Sequence, residues 1–104
     1  MTTEENKQIV LKYVEAFNRL DIDALRELFA EDAVIYGVLG SGGMDVAIKI
    51  WKELHAAFGL NLQVDLIIAE GETVAVCYTE RGTSQGTFRG SPVTGKSFET
   101  VAME

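Results

Sequence analysis

The apolar residues Ile9, Val10, Tyr13, Val14 and Phe17 recur three and four apart, the spacing that gathers side chains on one side of a helix. A helix from Thr3 to Arg19 is predicted, opened by a capping box between Thr2 and Glu5. It should stop at Asn18-Arg19-Leu20-Asp21, where a left-handed residue is needed and glycine commonly supplies it. Leu20 in that conformation would cost about 1 kcal/mol. Asp21 caps a second, short helix with Ile22, Leu25, Leu28 and Phe29 on its apolar side, ending at Ala30-Glu31-Asp32. A strand follows over Ala33 to Leu39, and Gly40-Ser41-Gly42-Gly43 reads as a loop into a third helix. Ala47, Ile48, Trp51, Leu54, His55 and Phe58 form that helix's buried stripe, with Lys49, Lys52 and Glu53 outside it and Gly59 as its end.

Beyond Gly59 the period changes from helix to strand. Leu62, Val64, Leu66 and Ile68 take alternate positions in a strand from Leu60 to Glu70, which would put all four on one face. Gly71-Glu72 turns the chain into a strand from Thr73 to Glu80, rich in β-branched and aromatic residues. A glycine-punctuated connection from Gly82 to Lys96 then leads to a last strand, Ser97 to Glu104. The order is α-α-β-α-β-β-β, an α+β fold whose short turns imply a mainly antiparallel sheet with its helices on one face. On a bent hairpin of this kind, polar groups at alternate positions point together at one small molecule.

Composition and charge remove several function classes. A chain of 104 residues fits a single domain over 1–104. No apolar run reaches the length of a membrane span, and Met1-Thr2-Thr3-Glu4-Glu5 lacks the parts of a signal peptide. A cytoplasmic protein without a membrane partner is expected. A formal charge of -7, with Lys49, Lys52, Arg81, Arg89 and Lys96 dispersed, opposes binding to nucleic acid. Cys77 is the only cysteine, so neither an internal disulfide nor a cysteine-based zinc site is available, and its apolar strand favours a buried thiol. The glycine loop before the third helix, with Asp65 beyond it, imitates a dinucleotide-binding unit. Asp45 stands where the third glycine belongs, and there is no second βαβ unit. Neither a cofactor nor a metal is expected.

Four stretches carry a family likeness. Tyr13-Val14-Glu15-Ala16-Phe17-Asn18, Asp23-Ala24-Leu25 and Leu28-Phe29-Ala30-Glu31-Asp32-Ala33-Val34 resemble the opening of the nuclear transport factor two-like superfamily. Gly82-Thr83, then Gly86, Phe88, Gly90, Pro92 and Thr94-Gly95-Lys96, resemble its SnoaL-like polyketide cyclase (ester cyclase) branch. The resemblance implies a cone: a strongly curved sheet around three helices with a deep, mostly apolar cavity between them. It also implies cofactor-free acid/base chemistry, since in these cyclases an aspartate in the strand after Thr-Gly-Lys serves an intramolecular aldol closure. Glu104 occupies that position here, so it is the catalytic candidate; the alternative is a solvated carboxylate at a chain end.

The pattern departs from the family in two places. Many members carry histidine directly after the Gly-Thr of the long strand, where Ser84 stands; its hydroxyl can bond a substrate oxygen but is no near-neutral base. Family chains also continue past the acid into one more strand. The resemblance therefore implies a C-terminally truncated domain, either a fragment or a chain whose strand edges are covered by another copy as a homodimer or higher homo-oligomer. The ketosteroid isomerases, a sister branch, offer a contrast: their first-helix tyrosine matches Tyr13, but their base falls on Gly37, which cannot take a proton.

The remaining candidates for substrate binding each have a plainer reading. Tyr13 either donates to a ligand carbonyl or is core. His55, the only histidine, is either a hydrogen-bonded core residue or a base. Trp51 is pocket wall or core, and Tyr36 lies on the strand that borders the cavity in the superfamily. Glu80 and Arg81 fall on opposite faces of the long strand, so at most one points inward. The expected function is binding of a small apolar or polycyclic carbonyl compound, with cyclase or isomerase chemistry at Glu104. The alternative is a non-catalytic ligand-binding or assembly module with the same fold.

Overall fold

Thr2 and Glu5 form the expected reciprocal cap, and helix α1 runs Thr3–Arg19. It ends on Leu20 at φ 51°, ψ 43°, the left-handed conformation expected of a glycine. The computed structural model describes residues 2–37 and 40–104. Asp21 accepts from the amide of Ala24 to start α2, Ile22–Leu28, which stops short of the expected Ala30 because Phe29 is extended. Strand β1 covers Ile35–Gly37; the expected continuation over Val38 and Leu39 lies outside the described residues. Gly40–Gly42, read from sequence as a loop, is a strand: β2 pairs antiparallel with β1, Tyr36 opposite Ser41. Helix α3 follows over Met44–Phe58 and ends on left-handed Gly59.

Strands β3 (Asn61–Glu70), β4 (Thr73–Thr83) and β5 (Ser97–Met103) form an antiparallel sheet in the order β3-β4-β5. Its register holds one correction. Val64 pairs with Tyr78 but Leu66 pairs with Cys77, so Asp65 is an inserted bulge residue. Its carboxylate turns to the outer face, where it accepts from Thr79 Oγ1 at 2.7 Å. Leu62 and Val64 therefore face the helices as expected, whereas Leu66 and Ile68 face outward, each more than half exposed. Ile67 and Ala69 take the inner side instead. Cys77 shares the outer face with Leu66 and Met103 and is half-buried rather than buried.

The core lies between the helices and the inner face. Val14, Phe17, Leu25, Ile48, Trp51, Leu62, Val76 and Tyr78 are buried there. Tyr13, Phe17, Phe29 and Trp51 pack edge-on or tilted, with ring centroids 5.9–6.2 Å apart, a spacing at which aromatic quadrupoles attract. Asn18 fixes α1 to the sheet: its amide donates to Leu62 O at 2.9 Å and its carbonyl accepts from Leu62 N at 2.8 Å. Both main-chain groups on that edge of β3 are thereby satisfied.

The connection from β4 to β5 packs on the end of α3. The amides of Gln85 and Gly86 both donate to Ala57 O, at 2.9 and 3.1 Å, completing a carbonyl that the helix leaves free. Gly86 has no room for a side chain, because a Cβ would lie 2.8 Å from Ala56 O. At Gly82 a Cβ would meet the Phe98 ring at 2.7 Å. These contacts give two of the motif glycines a steric reason.

Candidate active site

Strand alternation turns Tyr78 and Glu80 of β4 to the helix side, and Ala102 of β5 stands beside Tyr78. Just past β5, Glu104 is held in register with Val76 by two main-chain hydrogen bonds of 2.7 and 2.9 Å. Together with α1, α3 and the β1–β2 hairpin, these residues enclose a hollow of about 820 Å³. Its walls are mostly apolar: Phe17, Ile35, Val46, Ala47, Ile50, Trp51, Leu54, Leu62 and Ala102. The polar side chains on it are Tyr13, Tyr36, Tyr78, Glu80 and Glu104, and no lysine, arginine or histidine lines it among the described residues. A cavity of this size, apolar with a few converging polar groups, suits a small organic molecule.

The hydroxyl of Tyr78 donates to Glu104 Oε1, which fixes the carboxylate against the inner face of the sheet. Burial first, then the Glu104 hydrogen bond and charge, push the Tyr78 phenol far above its ordinary range. Tyr13 is raised likewise, by burial first and then by the charges of Glu104 and Glu80. Both phenols remain protonated; Tyr78 donates to Glu104, and Tyr13 keeps a hydroxyl able to donate. Glu80 is itself held above the ordinary carboxyl range, chiefly by burial and next by the Glu104 charge, while a hydrogen bond from Thr100 pulls the other way.

Of the residues singled out from sequence, Tyr13, Tyr36, Trp51 and Glu104 line this hollow, Trp51 buried and Tyr36 at the mouth with 82% of its surface exposed. His55 does not. Its ring stacks on Phe17 with centroids 4.7 Å apart, and its buried Nε2 has no hydrogen-bond partner among the described residues. Burial lowers its pKa, opposed by a hydrogen bond with the Phe17 backbone. Ser84 also lies elsewhere, tying the base of the β4–β5 connection: its Oγ accepts from Thr94 N at 3.0 Å and its amide donates to Lys96 O at 2.9 Å. Tyr78 and Glu80 were missed as site residues. Their signal was present in the alternation of β4, which puts Tyr78 and Glu80 on one face and Arg81 on the other, where it bonds Glu99 and Gln63.

Among the described residues, no three His, Cys, Asp or Glu side chains converge to hold a metal ion, and no helix is long and apolar enough to cross a membrane.

Fold and hollow together define a small-molecule-binding protein of the cone type. The chain belongs to the SnoaL-like polyketide cyclase family, whose model matches residues 7–104. Among solved structures, AclR from Streptomyces galilaeus, a provisionally assigned hydroxylase, superposes with a TM-score of 0.86 at 29% identity over 98% of this chain and 66% of its own. IdmH from Streptomyces antibioticus, provisionally assigned as a polyketide cyclase, gives 0.83 at 31% identity over 94% of this chain and 78% of its own. A protein from Xanthomonas campestris, also provisionally assigned as a polyketide cyclase, shares the fold with a TM-score of 0.86, at 23% identity over 97% of this chain and 78% of its own. Among curated protein sequences none matches.

Proposed function

We propose that this protein binds a small apolar or polycyclic carbonyl compound and catalyses its enolisation, the proton transfer that begins an aldol ring closure or an isomerisation. Glu104, entering as the carboxylate, takes the proton α to the carbonyl. The observation that carries this reading is the Tyr78 hydroxyl gripping Glu104 on the wall of an apolar hollow. Glu104 is exposed at the rim, and the Tyr78 hydroxyl fixes its carboxylate beside the apolar lining, where such chemistry requires its base. Tyr13 and Tyr36, also on the lining, are donors for the ligand's oxygens. Acidic side chains without a neighbouring cation disfavour a ligand that is anionic at its reacting end. Assembly into a homo-oligomer belongs to the same reading, supported by the outward-facing Leu66, Ile68, Val101 and Met103.

The test is deuterium uptake α to the carbonyl of 1-tetralone in D2O, followed by NMR. Wild-type protein is expected to accelerate uptake over buffer, and Glu104→Gln to lose about 100-fold of that rate. Uptake at the wild-type rate in Glu104→Gln, or no acceleration by the wild type, would overturn the assignment.

A further inference from the structure

Resting on the reading of Glu104 as base, we infer that Glu80 is the second proton carrier of the same hollow, the acid that protonates the substrate's carbonyl oxygen while Glu104 deprotonates the adjacent carbon.

The placement follows from the sheet register. Val76 pairs with Glu104, Tyr78 with Ala102 and Glu80 with Thr100, so the two glutamates stand two rungs apart on one face with the small Ala102 between. About 13 Å of strand separates those rungs. The Glu104 side chain leans over the middle rung to reach Tyr78, so its carboxylate lies nearer Glu80 than its own rung does, and no hydrogen bond joins the two glutamates among the described residues. The gap between them is bordered by Tyr78 and opens into the cavity, the position at which a ketone would present its α-carbon to one acid and its oxygen to the other.

The surroundings of Glu80 suit the donor role. Its neighbour Arg81 is exposed and paired with Glu99, but Glu80 faces the hollow and forms no ion pair among the described residues. The titratable groups sharing its cavity are Tyr13 on α1, Tyr36 on β1, Tyr78 on β4 and Glu104 beyond β5, so an ionised Glu80 would meet only neutral or negative neighbours. Burial and the Glu104 charge both favour the protonated acid. A carboxyl whose surroundings favour its protonated form can serve as the acid beside a carboxylate base.

The step balances without a co-reactant. The α C–H bond breaks, its proton forms an O–H bond on Glu104, and the C–H electron pair becomes the enol C=C bond. The carbonyl π pair moves to oxygen and takes the Glu80 proton. A neutral enol results, with Glu80 ionised and Glu104 protonated. Returning the protons restores the starting state, so the pair holds one proton throughout.

Two measurements test the assignment. In the 1-tetralone assay, Glu80→Gln is expected to lower kcat about 100-fold with KM within about twofold, and to abolish the alkaline limb of the pH profile. Without substrate, a carbon-13 NMR titration is expected to place the Glu80 midpoint above the ordinary carboxyl value in wild type and lower in Glu104→Gln. A wild-type rate and an unchanged alkaline limb in Glu80→Gln would overturn the role of Glu80 while leaving Glu104 as base. Full activity in Glu104→Gln would overturn the base and this inference with it. A Glu80 midpoint that ignores Glu104→Gln removes the coupling and overturns the inference independently of turnover.

Discussion

Asn18 holds both main-chain groups of Leu62, donating to one and accepting from the other across 44 residues of chain. A single side chain at the end of α1 thus closes the edge of β3 where the hollow begins. Replacing it with alanine removes two hydrogen bonds and leaves a part-buried amide and carbonyl without these partners. Urea unfolding of Asn18→Ala is expected to show a loss of about 2 kcal/mol, with little change in slope.

Leu20 and Gly86 give opposite expectations for glycine. Leu20 sits in the left-handed region, so Leu20→Gly should stabilise by up to about 1 kcal/mol, read from the urea midpoint; a neutral or destabilising result would show that its side chain packs usefully. Gly86 faces the backbone carbonyl of Ala56, which cannot rotate away, so Gly86→Ala should destabilise by about 1–3 kcal/mol in the same measurement.

Glu80 makes stability fall as pH rises. Below about pH 4.5 folded and unfolded chains both hold its proton. Above that value the unfolded chain releases the proton first while the folded protein resists, so folding is increasingly penalised until the folded group also ionises. Glu80→Gln lacks this penalty. Its melting temperature relative to wild type is expected to climb between pH 4 and pH 8, measured by thermal scans in buffers of equal ionic strength.

His55 works in the other direction. Its folded pKa lies below the ordinary 6.5, so as pH falls below that value the unfolded chain gains a proton that the folded protein refuses, and stability declines. His55→Phe keeps an aromatic ring against Phe17 and removes the buried, unpartnered nitrogen. The expected result is a smaller drop in melting temperature between pH 7 and pH 5 than in wild type.

The helices were readable because each rests on local rules: the Thr2–Glu5 box, the Asp21 cap, Gly59 at the end of α3 and the apolar stripes between them. Pairing was less so. Gly40–Gly42 has the composition of a loop, and only its partner Ile35–Gly37 makes it a strand. The alternation from Leu62 to Ile68 looked unbroken because the apolar residues on either side of Asp65 keep an even spacing, while the inserted residue acts through its partner strand. At the site, Glu104 came from the family pattern, whereas Glu80 needed to be seen beside it. A carboxylate on a strand is ordinarily solvated. His55, on an apolar helix stripe, shows the converse: it contributes packing against Phe17 and no reach into the cavity.

The extra residue at Asp65 makes the far end of β3 a reversible choice. Drawing Asp65 into the ladder opposite Cys77 would carry Leu66 and Ile68 through to the helix side and send Ile67 and Ala69 out to water, with every main-chain partner beyond it shifted by one step, whereas deleting Asp65 would leave all four where they stand. A sheet built this way can exchange what it offers its surroundings for what it offers its interior by taking one residue into the ladder or expelling it, without altering the composition of either set.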